Sequence, residues 1–135
     1  MSLTGDLITY IGADTAIKAL IGTKIFDLYV PEDTTYPYVS LVRESMTIED
    51  YLEGTTPLRQ SMYSCTIVSD SSISGEAVEE ALIALLASLR GTVGTSRVRV
   101  IYYQGSTDSF IPPVDMSEES IHLIELGFEV HWFST

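Results

Sequence analysis

Basic residues are scarce in this chain. Seven Lys and Arg stand against 19 Asp and Glu in 135 residues, a formal charge of minus 12 with the two histidines neutral. Gripping nucleic acid depends on Lys and Arg neutralising phosphates and releasing counterions, so a main role in binding DNA or RNA is excluded, as is a polybasic membrane contact. Cysteine is nearly absent. Cys65 alone cannot form an intramolecular bridge, which excludes a disulfide-stapled secreted scaffold and points to a reducing compartment. No run approaches the roughly eighteen apolar residues a membrane-spanning helix needs. Residues Met1 to Asp6 lack the basic start and apolar stretch of a signal peptide. A soluble, intracellular protein is expected.

What is present suffices for a core. Hydrophobic residues make up 45% of the chain, and the acidic ones are spread among apolar runs, which is a globular rather than a disordered pattern. A single domain over residues 1–135 is expected, burying roughly two thirds of the surface its unfolded chain exposes.

Leu3, Leu7, Ile8 and Ile11 have the spacing of one helix face, closed by Gly12. Asp14 is placed to cap a second helix with Ile17, Leu20 and Ile21 as its buried stripe and Gly22 as a left-handed stop. Ile25 to Val30 reads as a strand ended by Pro31. Tyr38 to Ser45 and Leu58 to Val68 read as a hairpin, with Met46 to Pro57 between them. Ser72 or Ser74 caps a helix expected from about Gly75 to Arg90, with Val78, Leu82, Leu85, Leu86 and Leu89 on its apolar face. Truncation of Leu82 or Leu85 is expected to matter most. Arg97 to Gln104 is a strand, Gly105 to Ser117 a long loop, and Ser120 to Phe133 the last strand. In that strand Ile124, Leu126, Phe128, Val130 and Trp132 face one way and Glu125, Gly127, Glu129 and His131 the other. The order ααβββαββ predicts an α+β two-layer sandwich: a mixed or antiparallel sheet of about four to five strands with the helices on one face.

Candidates for catalysis fail on their parts. Cys65 falls in a strand with no His or Asn partner motif, so a structural thiol is the stronger reading. His122 and His131 project to opposite faces of an unbroken strand and make no metal pair. Gly91-Thr92-Val93-Gly94 matches a Gly-x-x-Gly clamp only superficially, and reads as a helix cap plus a turn. Arg97 and Arg99 share a strand face and form a small positive spot; pairing with a neighbouring subunit's carboxylates and exposed pairing within the chain both remain open. Glu32-Asp33 and Glu118-Glu119 are solvated loop charges, and no Walker motif, nucleophile elbow or zinc spacing occurs. The expectation is a protein that is no enzyme and holds no cofactor or metal.

Two long segments remain, 46–57 and 105–117, each mixing charge with apolar side chains. Segments of that length in a compact domain are usually functional or disordered, so they are either assembly arms or simply mobile.

The segment Ala19-Leu20-Ile21-Gly22-Thr23-Lys24-Ile25-Phe26, then Tyr36-Pro37-Tyr38-Val39, then Ser64 to Val68 leading into the Ser-Gly-Glu-Ala-Val helix that ends in Leu89-Arg90-Gly91, resembles the tail-completion or tail-terminator proteins of long-tailed bacteriophages and phage-like particles. The closing strand Leu126 to Phe133 fits as well, so the resemblance covers about residues 3 to 133. It implies a virion protein at the head-tail junction, assembled in the host cytoplasm. There it caps the tail tube as a ring, typically a hexamer, stops tube growth and presents a surface to head-completion or connector proteins. It implies tail-tube protein as a partner, DNA that passes without specific binding, and no membrane.

Two expectations follow for that ring. The acidic tip, Glu49, Asp50 and Glu53, would line or flank the channel, where negative walls let DNA slide past. The apolar tip residues Tyr51, Leu52, Phe110 and Ile111 would help bury the subunit or tube interface, beside Arg97 and Arg99. A head-tail connector or neck protein is the near alternative. From another class, an acidic inhibitor or immunity protein that blocks a basic enzyme has this size and charge, and predicts a monomer with salt-dependent binding.

Overall fold

Ser2 opens the chain's first helix, its hydroxyl accepting the Gly5 N–H at 3.1 Å. The computed structural model describes residues 2–27, 29–49, 58–112 and 121–134. Helix α1, Leu3–Ala13, buries Leu3, Leu7 and Ile11. Asp14 ends it by turning extended and at once caps α2, Thr15–Ile21, accepting the Ile17 N–H at 3.1 Å. Gly22 stops α2 at a φ of +65°, where a side chain would be strained.

Strand β1 is only Ile25–Asp27, shorter than the expected run to Val30, and pairs in parallel with β2, Tyr38–Glu49. The chain reaches β2 through a cis Tyr36–Pro37 bond, with Tyr36 stacked on Tyr38. Strand β3, Leu58–Ser69, pairs antiparallel with β2. The sequence reading stopped the first arm of this hairpin at Ser45, but the strand continues to Glu49. The register slips between Arg43 and Ser45, leaving Glu44 as an extra residue. A bulge reverses the inward and outward alternation, so Val39 and Leu41 face the core before it and Met46 after it, and a period-two pattern is lost.

Helix α3 spans Ser72–Ala87, with Ser71 as its cap accepting the Ser74 N–H at 3.2 Å. It therefore starts and ends three residues before the expected Gly75–Arg90. Gly75 lies in its first turns against the sheet: a Cβ there would come within 2.8 Å of the Ser69 hydroxyl and 3.1 Å of Ile124 Cδ1. Val78, Leu82 and Leu86 are buried, whereas Leu85 is only partly so. The expected equivalence of Leu82 and Leu85 is thus corrected.

Gly91–Val93, read above as a cap plus a turn, is a strand, β4, paired antiparallel with β5. Strand β5 is Ser96–Ile111, longer than the expected Arg97–Gln104, and pairs antiparallel with β6, Ile121–Ser134. The first seven residues of the expected 105–117 loop are therefore strand. Two further register shifts, between Val98 and Val100 and between Tyr103 and Gly105, hide it for the same reason as in β2. Among the described residues six strands replace the expected four to five, and the order is ααβββαβββ. The fold is mixed α/β, a curled sheet in the order β1-β2-β3-β6-β5-β4 with three helices among the described residues.

The core lies between these layers. Tyr63, Cys65 and Ile67 of β3 and Ile124, Leu126, Phe128, Val130 and Trp132 of β6 are buried together with the apolar faces of all three helices. Tyr63 stacks on Phe128 at 5.6 Å and shares a 2.8 Å hydrogen bond with Thr4. Trp132 donates its indole N–H to Ser61 Oγ at 3.0 Å. While α3 lies over β3, β5 and β6, α1 touches β1, β2 and β4, strands at both margins of the sheet. Asp6 fastens that contact. Its Oδ2 accepts from the Thr95 N–H and hydroxyl, both at 3.1 Å, and from the Ser96 hydroxyl at 2.8 Å.

Candidate functional site

The candidate site is a set of exposed surfaces on one scaffold. The first is the far end of the β5–β6 hairpin, where Phe110 pairs with His122 and Ile111 with Ile121. Both β5 residues are exposed, Phe110 at 54% and Ile111 at 46%. The Phe110 ring leans on the His122 ring at 4.8 Å. Beside them a small recess of about 50 Å³ lies between Ser72 and Glu76 of α3 and Asp108, His122 and Ile124 of the hairpin. Ile73, next to Ser72 in the first turn of α3, is 80% exposed. Isolated exposed apolar residues are ordinary; here three large ones gather at one end of the molecule, with Phe110 and Ile111 on opposite faces of the hairpin.

Arg97 and Arg99 lie at the opposite end of β5 and are both exposed. Arg97 is level with Phe133, and Arg99 is the extra residue of the first register shift. They line one open depression with Gly91, Val98 and Phe133. Neither has an ion-pair partner among the described residues. The long axis of β5 therefore separates the two arginines from Phe110 and Ile111, and the four make no single site.

On the sheet face away from the helices, Glu129 accepts from Gln104 Nε2 at 3.3 Å and pairs with His131 Nε2 at 3.1 Å. Tyr102 meets His131 edge-on at 5.1 Å, and Glu125 accepts from Ser64 at 2.9 Å. Sequence reasoning put Glu125, Glu129 and His131 on this face but missed Tyr102, Tyr103 and Ile73 as exposed residues. The two tyrosines alternate to opposite faces, level with Glu129 and Phe128, and both are exposed where β4 no longer covers β5.

His122 and His131 do fall on opposite faces, and among the described residues no cluster of His, Cys, Asp and Glu suits a metal. Cys65 is fully buried, and burial pushes its thiol up to about 12 from an ordinary value of 9.0, which leaves no thiolate nucleophile near neutral pH. Among the described residues no helix is long and apolar enough to cross a membrane. Glu49 closes β2; its side chain, and Asp50, Tyr51, Leu52 and Glu53 altogether, lie outside the described residues, as does the segment 113–120.

No family model matches the chain, and no curated protein sequence does. A solved structure does match: a chain from the virion of a native gene transfer agent particle, at a TM-score of 0.73 and 18% identity, covering 98% of this chain and 96% of that one. At that identity the likeness establishes a shared fold over essentially the whole of both chains.

Proposed function

We propose that this protein is a structural component of a phage-like particle and acts without catalysis. In this reading it caps the tail tube as a ring of subunits, a hexamer, stops tube growth and offers its other face to head-completion or connector proteins. The observation that carries the reading is the end-to-end match with a chain of a gene transfer agent virion. The exposed apolar end around Ile73, Phe110 and Ile111 supports it, because a protein that acts by contact needs such a surface. A charge of minus 12 per subunit suits a ring that DNA must traverse without sticking. Its site of action would be the head-tail junction of the virion, after assembly in the host cytoplasm.

The test is electron microscopy of the purified protein mixed with its tail-tube protein, alongside mass measurement in solution. Rings on tube ends and tubes of arrested length are the expected result. Attachment to the head side alone would favour the connector or neck alternative. A monomer that ignores tubes but binds a basic enzyme in a salt-dependent way would overturn the reading in favour of an inhibitor.

A further inference from the structure

The two marginal long strands of the sheet are each covered along only part of their length. Strand β1 pairs with Val39–Leu41 of β2, and β4 pairs with Ser96–Val98 of β5. Among the described residues no strand lies outside the rest of β2 or of β5. Such unpaired N–H and C=O groups are a template for a further strand.

Following the registers across the sheet gives the heights of these open stretches. Leu41 is level, through Cys65 and Leu126, with Ser106. Val42 is level, through Ser64 and Gly127, with Gly105, and Thr47, through Gln60 and His131, with Val100. Strand β1 closes one margin at one end of the sheet, and β4 closes the other margin at the other end. One band is left open on both margins at the same height: Val42–Thr47 on β2 and Val100–Gly105 on β5. Three antiparallel pairings separate β2 from β5, so the two run in opposite directions. Rotation about an axis along the strands brings β2 of one copy beside β5 of the next as an antiparallel pair.

We propose that neighbouring copies join edge to edge, Val42–Thr47 of one against Val100–Gly105 of the next. The proposal rests on the ring reading and supplies its subunit contact. A closed ring, unlike a helical filament, admits no rise between neighbours, and the two open stretches are level as that requires. In this register Met46 stands opposite Ile101 and Arg43 opposite Tyr103 on the helix-bearing face. Ile101 and Tyr103 border a narrow apolar crevice of about 20 Å³ shared with Ile83, Leu86 and Ala87 of α3. A flexible methionine suits the mouth of such a crevice, and an arginine suits the face of the half-exposed Tyr103. On the other face Ser45 meets Tyr102 and Thr47 meets Val100, and no two like charges stand opposite each other. The bulges at Glu44 and Gln104 lie within the two stretches and keep the ladder short, which restrains indiscriminate edge pairing.

The test uses two double variants of the full chain, Ser45→Cys with Tyr102→Cys and Thr47→Cys with Val100→Cys, each assembled on tail tubes and then oxidised. Disulfides form only where Cβ atoms come within about 4.5 Å, and the native Cys65 is fully buried and stays out of the exchange. Covalent multimers up to the ring number on a non-reducing gel are expected from both pairs, with monomers from every single variant. Rings that cap tubes yet yield no covalent multimers from either pair would overturn the edge contact and leave the ring reading standing. Covalent dimers from a single variant would overturn it in favour of like edges meeting about a twofold. If unaltered protein forms no ring on tubes, the ring reading fails, and this contact with it.

Discussion

The carboxylate of Asp6 in α1 accepts a 2.8 Å hydrogen bond from the hydroxyl of Ser96, the first residue of β5 and ninety positions further along the chain. Asp6 is 1% exposed and Ser96 equally so. The Thr95 amide and hydroxyl donate to the same oxygen. A side chain at Gly94, whose φ is +58°, would collide with the other carboxylate oxygen. Hydrogen bonds to a charged group contribute about 1.5–3 kcal/mol, and their loss strands buried donors. Asp6→Ala should therefore lower stability by at least about 2 kcal/mol, read as a lower urea midpoint at unchanged slope. Gly94→Ala should destabilise as well, and the double variant by less than the sum of the two, because the collision goes with the carboxylate. Strict additivity would show that Asp6 does not hold the turn.

Much of this fold was legible in the sequence, and the two strands read too short share one cause. The Asp14 cap, the Gly22 stop and the two faces of β6, with Glu125, Glu129 and His131 turned away from the helices, follow from period and cap chemistry alone. The uninterrupted long strands β3 and β6 were read to within one residue at each end, whereas those interrupted at Glu44, Arg99 and Gln104 were cut short, since each extra residue reverses the faces after it. Strand β4 has three residues, fewer than the roughly four from which alternation can be read, and is defined by its partner β5. The exposed apolar end was half legible: Phe110 and Ile111 stand out as apolar residues in a polar stretch, but only the packing of α3 beside the hairpin adds Ile73. Asp6 gave no signal, because one acidic residue in a first helical turn reads as complementing the helix dipole.

Leu82 and Leu85 separate on α3. Leu82 is fully buried over the sheet, while Leu85 is only partly covered. Leu82→Ala should cost about 2–5 kcal/mol, and Leu85→Ala about 1 kcal/mol. Calorimetric melting of both variants decides the matter, and equal losses would mean that α3 is rotated about its axis relative to this description.

Alkaline pH should destabilise the protein in a defined direction. Burial raises the Cys65 thiol from 9.0 to about 12 and raises the Tyr63 phenol above its ordinary 10.0. Both groups hold their protons longer in the folded chain than in the unfolded one. Their contribution is therefore complete below pH 9 and declines as pH rises toward about 12, because there the unfolded state binds fewer protons. Urea titrations at several pH values above 9 should show this fall, and Cys65→Ala should shed the thiol's share of it. A flat profile through that window would contradict the burial of both groups.

Phe110 and Ile111 allow folding and assembly to be tested apart. They lie near the end of the described part of β5, roughly half exposed, and Phe110's ring contact is with His122 on the same hairpin. The double change Phe110→Ser and Ile111→Ser removes apolar surface of which about half is already in water, so the melting temperature should move little, by the equivalent of about 1 kcal/mol or less. If this end meets the tail tube, the same variant should lose most of its capping of tube ends, since apolar anchors carry most of the energy of a contact. The edge-paired ring, built from residues 42–47 and 100–105, involves neither residue. Ring formation without tube capping would assign the hairpin end to the tube, capping at full strength would free it for the head side, and loss of the rings themselves would show that the hairpin takes part in the subunit contact.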